Sequence, residues 1–382
     1  MAGIYFHIPY CRKACHYCDF HFSVNQKNKG ELMQSMIEEL RIQRNFFSVL
    51  DKSTPIETIY FGGGTPSLSS KKELSDLIET VYTIFPVSNN PEITIECNPD
   101  DLSSDYCNDL FALGFNRASI GIQSFDDHFL SVLNRSHNAQ KAFESIDNIV
   151  HAGINNVSID LMYGLPEQSN DHWLKQLAQV RDLPIQHLSC YNLTIESNTV
   201  FGKRVKQKLM QEPDDEVAGK QFEQLMEWAD ENSFEHYEIS NLAKAGFQSQ
   251  HNSAYWLNKP YLGIGPSAHS YNTVHRFHNF SSNARYVQQL NNKQQWYEIE
   301  ELDHADKVND YLLTSLRANW GIDLNYVEDT YGAKEKDRIL TILKTIDHEH
   351  YHISSDAKVT LSKKGKLWSD RIALEIFLDH EY

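Results

Sequence analysis

Short apolar runs alternate with longer amphipathic stretches along the first half of this chain. GIYFHI at 3–8, IETIYF at 56–61, EITIEC at 92–97, RASIGI at 117–122, NVSIDLM at 156–162 and IQHLSCYNL at 185–193 are β-rich and bounded by turn residues, so each reads as a strand. Between them the spacing predicts helices over 30–49, 71–85, about 103–113, two stretches within 126–151, and 170–181. Strands that alternate with helices of this length argue for parallel βαβ units. Six in succession, with no G-x-G-x-x-G after the first, favour a full or partial barrel over a dinucleotide-binding sheet. In such barrels chemistry sits at the C-terminal ends of the strands. The conspicuous motifs fall there: a cysteine loop, GGGTP, ECNPDD, IGIQSFD, DLMYGLPEQ and YNLTIES. The fold class is therefore α/β, with these motifs lining one cavity.

The pattern changes after about residue 215. EVAGKQFEQLMEWADENSF reads as a helix and EHYEIS as a strand, followed by a loop-rich segment dense in Gly, Asn, His and aromatics. From about 300, two helices, a β-hairpin and a last helix suggest a small, mostly helical, winged-helix-like domain. The expected organisation is a barrel over 1–235, a loop-rich extension over 236–298 and a C-terminal domain over 299–382. Neither repeats nor low-complexity tracts interrupt it.

Composition narrows the function classes. The 382 residues are 41% hydrophobic and 23% charged, ordinary for a globular protein of two or three domains. No apolar run approaches the roughly 18 residues of a membrane helix, and the N-terminus lacks the basic and apolar regions of a signal peptide. A cytoplasmic location is the expectation. A net charge of −17 argues against nucleic acid as the main partner and against the winged helix as a DNA reader. Of six cysteines, Cys97, Cys107 and Cys190 are scattered and read as small buried residues.

The other three, Cys11, Cys15 and Cys18, fall within eight residues as C-x3-C-x2-C. In a chain of this kind a tight cluster reads as metal or redox chemistry rather than as a disulfide framework. Structural zinc would be closed by a fourth protein ligand, with His7, His16 and His21 as neighbours. A [4Fe–4S] cluster with three irons held by protein would leave the fourth iron open to an exchangeable ligand.

C-x3-C-x2-C with Tyr17 before the last cysteine, joined to YFGGGTP after the second strand, resembles the radical S-adenosylmethionine superfamily. The resemblance implies a partial (β/α)6 TIM-like barrel, a [4Fe–4S] cluster on Cys11, Cys15 and Cys18, and S-adenosylmethionine chelated by the open iron. In that family the reduced cluster cleaves a C–S bond of the cofactor to give a 5′-deoxyadenosyl radical. Within it, the chain is similar to the oxygen-independent coproporphyrinogen III oxidase family over nearly its whole length. That similarity implies cofactor contacts at Tyr5, Tyr17, Gly63, Gly64, Thr65, Glu96, Gln123, Arg135, Asp160, Thr194 and His269. Taken singly, GGGTP reads as a tight turn, Glu96 as a solvated carboxylate at a barrel mouth, and Arg135 and Asp160 as surface salt-bridge partners.

Two departures separate the chain from the oxidases themselves. Phe20 stands where the oxidase motif carries a further cysteine, and only ten residues precede Cys11. HNSAYW at 251–256 matches the H-N-x-x-Y-W motif of the heme chaperone branch. The resemblance implies heme as ligand, with His251 as axial ligand and Asn252, Tyr255 and Trp256 beside it. The residues alone read better as a histidine capping a loop beside a buried Tyr–Trp pair; the resemblance reverses that order. The branch further implies heme-accepting respiratory proteins as partners, with peripheral membrane contact through them, and allows a homodimer. The competing readings are a porphyrinogen oxidase and a zinc-stabilised binding module. Catalytic residues and turnover are left open by the sequence.

Overall fold

The computed structural model describes residues 2–50 and 54–379; the outermost ends of the expected domains, residue 1 and residues 380–382, lie outside these. Six parallel strands follow one another in chain order: β1 Ala2–Ile8, β2 Ile56–Gly63, β3 Val87–Cys97, β4 Arg117–Gln123, β5 Asn156–Tyr163 and β6 His187–Asn192. The connecting helices are α1 Lys29–Ile42, α2 Lys71–Ile84, α3 Ser104–Ala112, α4 Asp127–Val132, α5 Ala139–His151 and α6 Asn170–Arg181. The stretch expected to be helical over 30–49 is α1 followed by a 3-10 turn, Gln43–Val49.

The strands alternate strictly. Ile4, Phe6, Ile59, Phe61, Ile93, Ile95, Ile120, Ile159 and Leu161 pack outward into one core with the helices. The intervening positions face inward and are polar: Thr58 and Tyr60, Thr94 and Glu96, Arg117 and Ser119, Ser158 and Asp160, His187 and Ser189. Hydrogen bonds cross the interior between them, as from Ser119 to Asp160 and between Ser158 and His187. A polar interior under an apolar outer layer is what a ligand-holding barrel needs.

The extension differs from expectation. Rather than a loop-rich appendage, it supplies six short strands that lengthen the same sheet at both edges. β7 Glu235–Glu238 and β8 Asn241–Ala243 follow β6; β9 Tyr261–Ile264 pairs parallel with β1 and is followed outward by β10 His269–Tyr271, β11 His275–Asn279 and β12 Tyr297–Glu301. The sheet stays open, giving a partial barrel. Strands of three to five residues leave little periodicity to read, which is why the segment looks like loop in sequence.

Buried Glu39 of α1 ties this extension down. Its two oxygens accept from Gly265 N (2.8 Å), Asn279 Nδ2 (2.7 Å), Trp296 Nε1 (2.7 Å) and the Tyr286 hydroxyl. Helices His304–Leu316, Leu324–Tyr331 and Ala333–Leu343, the hairpin Tyr351–Ile353 with Lys358–Leu361, and the closing helix Ser369–Ile376 form a winged-helix-like unit with its own core. Arg317 joins it to the barrel through Glu238 (3.3 Å). No helix among the described residues is long and apolar enough to cross a membrane.

Candidate functional site

The strands deliver their C-terminal residues to one end of the barrel, and a cavity of about 490 Å³ opens there. Cys11, Cys15, Cys18 and Tyr17 line it from the loop after β1; Gly63, Gly64 and Thr65 from the turn after β2; Glu96 from β3; Gln123 from β4; Arg135 from the loop after α4; Asp160 from β5; Thr194 from beyond β6. Twelve of the residues expected to hold the cluster and cofactor thus meet around one space.

Backbone geometry explains several of these residue types. Gly63 sits at φ +108°, open to glycine and strained for other residues. A Cβ on Gly64 would lie 2.8 Å from both the backbone nitrogen and oxygen of Tyr10, so the turn can pass under the cysteine loop only as glycine. Gln123 takes φ +68° at the end of β4, an uncommon conformation that aims its side chain across the mouth.

The cysteine loop has no regular structure of its own and is pinned from outside. Ser23 N donates to Pro9 O (2.7 Å) and Cys11 N to Ser23 O (3.0 Å), closing the loop on itself. His16 N and Nδ1 bond the carbonyls of Leu133 and Val132, and Asn134 Nδ2 donates to Ala14 O (2.7 Å). Arg12 reaches Asp101, which also accepts from Ser67 (2.7 Å), so the loop is tied to the turns after β2 and β3. His16, one of the neighbours considered as a zinc ligand, is therefore a structural clasp.

Arg135 sits among the thiols. It donates to Cys15 Sγ (3.4 Å), Gly121 O (2.6 Å) and Asn98 Oδ1, while its Nε finds no partner among the described residues. Thr65 donates to Cys11 Sγ (3.5 Å). Burial pushes the Cys11 thiol up and the Cys18 thiol up to about 11, so loading a metal must displace protons. Glu96 accepts from Tyr60 (2.8 Å) and Gly63 N (3.1 Å); burial outweighs these bonds and pushes its carboxyl up to about 7. Burial likewise lifts Asp160 to about 6, against its bonds to Ser119 and Ser189.

The donor set fits an iron–sulfur cluster better than one zinc ion. Three thiols share a wide cavity, yet among the described residues no three Cys, His, Asp or Glu side chains converge closely enough to hold a single ion. A multi-iron cluster spreads its ligands more widely. When bound, a cluster and S-adenosylmethionine would supply one-electron chemistry; the thiols, the glycine turn and the carboxylates are the groups that would hold them.

Two further expected cofactor residues line an adjoining cavity. Tyr5 and His269 do not line this cavity but a second one beside it, also about 490 Å³, which shares Phe20, Gly63 and Glu96 with the first. Tyr5 points its hydroxyl at His7 Nδ1 (3.1 Å), and His269 belongs to β10, separated from β1 by β9 in the sheet.

The HNSAYW motif is also located differently from an open heme ligand. It forms the helix Gln250–Trp256, whose first turn is capped by Glu92 of β3 through the nitrogens of Gln250 (3.1 Å) and His251 (3.0 Å). His251 is 2% exposed, inside the barrel. Its Nδ1 lies 2.7 Å from Thr58 Oγ1 and its Nε2 2.8 Å from the Tyr255 hydroxyl, so neither nitrogen is open. The Nδ1 bond follows from the barrel pleat, which brings Thr58 inward where Gly3 leaves room, and the Nε2 bond joins two residues four apart on one helix. Of the four motif residues Tyr255 alone lines either of these two cavities, the second one; Asn252 N donates to Ser249 Oγ, and the Trp256 ring lies under Arg317.

Sequence reasoning missed Asn98, Ser119 and Tyr191, which also line the first cavity, and Arg117, buried in the barrel interior. Asn98 lies inside the ECNPDD motif; the inward alternation of β4 and β6 carries the signal for the others.

The superfamily model for radical SAM proteins matches residues 5–179, the span from β1 through β5 and most of α6. Heme chaperone HemW of Bacillus subtilis is 30% identical over 376 residues, 97% of this chain and 98% of that protein. The chain belongs to the HemW family of radical SAM proteins. Heme chaperone HemW of Escherichia coli is 38% identical over 268 residues, covering 70% of this chain and 69% of that one. In three dimensions the chain is similar to coproporphyrinogen III oxidase (HemN) from Escherichia coli, with a TM-score of 0.83 and 21% identity over 98% of this chain and 90% of that one. That likeness shows the fold, a partial barrel with a helical C-terminal region. Membership of the HemW family brings a [4Fe–4S] cluster and S-adenosylmethionine with it.

Proposed function

We propose that this protein is a heme chaperone: it binds heme, holds a [4Fe–4S] cluster on Cys11, Cys15 and Cys18, binds S-adenosylmethionine against the GGGTP turn and Glu96, and passes heme to respiratory acceptor proteins. The observation that carries the reading is the near-full-length similarity to the Bacillus subtilis heme chaperone. Two adjoining cavities support it, one lined by thiols and the other by aromatic rings, histidines and cations. A thiol-lined space suits the cluster, and an aromatic one suits a flat porphyrin.

Phe20, 75% exposed between the two cavities, distinguishes this reading from a porphyrinogen oxidase. A phenyl ring there can cover a ligand but cannot supply the thiol that the oxidase motif carries. The test is an anaerobic assay on reconstituted protein with two arms. Saturable hemin binding, hemin transfer to an apo-heme protein, and no decarboxylation of coproporphyrinogen III are expected. Robust decarboxylation with weak hemin binding would replace the chaperone with the oxidase. The domain arrangement that goes with this function is a barrel with the extension built onto its edges, and a C-terminal unit from about residue 299 that serves docking.

A further inference from the structure

The second cavity raises a question that the H-N-x-x-Y-W motif does not answer: which side chain in it can bind iron? Three histidines line it, and they differ in availability. His7 is 6% exposed with both ring nitrogens engaged, Nδ1 by the Tyr5 hydroxyl (3.1 Å) and Nε2 by His21 O (3.2 Å). His21 commits Nε2 to Asn283 Oδ1 (2.7 Å). His269 is exposed, and neither of its nitrogens has a hydrogen-bond partner among the described residues. Its ring is held in place all the same, stacked on cross-strand His278 at 5.8 Å between centroids. Partial desolvation against the cavity wall, then His278 and Arg276, hold its imidazole below the usual range, which favours the neutral form with a free lone pair.

The rest of the wall suits a planar dianion. Tyr5, Tyr255, Tyr261 and Tyr271 supply aromatic surface. Lys259 is exposed, and its ammonium has no acidic partner among the described residues. Arg276 lines the cavity too but is shared with Asp310 and Glu300, leaving Lys259 as the free cation.

We infer that heme docks in this second cavity with His269 as its axial iron ligand and Lys259 facing a propionate, while His251 is a positioning residue that carries the cavity wall through Tyr255. The inference rests on the heme-binding reading above. His251 could reach an iron only by leaving Thr58 and Tyr255, emptying the barrel beneath Tyr60.

The experiment is hemin titration of the full chain, followed by absorbance and by electron paramagnetic resonance. Wild type should saturate with a histidine-ligated spectrum. His269→Gly should lose that spectrum and bind hemin about tenfold more weakly or worse, and added imidazole should restore it. Lys259→Gln should weaken binding severalfold with the spectrum unchanged. His251→Gln should keep the spectrum while lowering the unfolding midpoint. Retention of the wild-type spectrum by His269→Gly would overturn the assignment, and unaltered affinity in Lys259→Gln would remove Lys259 from it. Absence of saturable binding by wild type would sink the heme reading itself, a result separable from either.

Discussion

The hydroxyl of Thr58 and the imidazole of His251 lie 2.7 Å apart inside the barrel, joining its second strand to a helix 193 residues further on. Above them the His251 ring stacks on Tyr60, centroids 4.9 Å apart, and Tyr60 donates to Glu96 at the mouth. The motif helix is thus linked through Tyr60 to the carboxylate that borders both cavities. Replacing Thr58 by Val keeps the shape and removes the partner of a buried nitrogen. The cost should be about 1–3 kcal/mol, read as a lower denaturant midpoint at unchanged m-value. An unshifted midpoint would show that the bond carries nothing.

Glu39 makes a second prediction. Its two oxygens accept four hydrogen bonds from residues of the extension. Glu39→Gln turns an NH2 group toward donors and leaves at least one buried group unpaired. We expect a loss of about 2 kcal/mol or more, with earlier proteolysis within 265–296 than elsewhere in the chain. Cleavage patterns identical to wild type would contradict the anchoring role.

Gly64 tests the turn under the cysteine loop. A methyl group there meets the Tyr10 backbone at 2.8 Å, so Gly64→Ala must displace the loop that carries the thiols. Iron and sulfide content after anaerobic reconstitution should fall well below wild type, while far-UV circular dichroism stays native. Full cluster incorporation would show that the loop accommodates the methyl without consequence.

Glu96 gives a pH dependence with a definite sign. Its carboxyl, pushed up to about 7 by burial, is mostly protonated at pH 6 and mostly ionised at pH 8. A cationic cofactor prefers the carboxylate, so affinity for S-adenosylmethionine should rise by up to about tenfold across this window and then level off. Equilibrium dialysis on reconstituted protein measures it, with Glu96→Gln as reference for other titrating groups. Equal pH profiles for the two proteins would exclude Glu96 from the site.

The six strands and the residues at their ends were legible because each strand is a compact apolar run and each motif follows it directly. The cluster cavity therefore contains the cysteines, the GGGTP turn, Glu96, Gln123, Arg135 and Asp160 as sequence order implied. Strand β7 was legible as EHYEIS, whereas β8 to β12 were hidden by their brevity. The fate of His251 was hidden for another reason: a motif gives residue types and spacing, but not whether a short helix turns its histidine toward a cavity or into a barrel. Tyr5 and His269 show the same limit, since two cavities share one wall and only the pleat of β1 and β10 decides which cavity each residue meets.

The central claim is that one chain holds a cluster and a heme in neighbouring, separate sites. Quantifying non-heme iron, sulfide and heme in a single anaerobically reconstituted, hemin-loaded sample tests it most directly, with the Cys11/Cys15/Cys18→Ala variant alongside. Wild type should carry about four non-heme irons and about one heme per chain at once, and the variant should lose the cluster while retaining the heme. Loss of heme together with the cluster in a variant that stays folded, or displacement of one by the other in wild type, would contradict it.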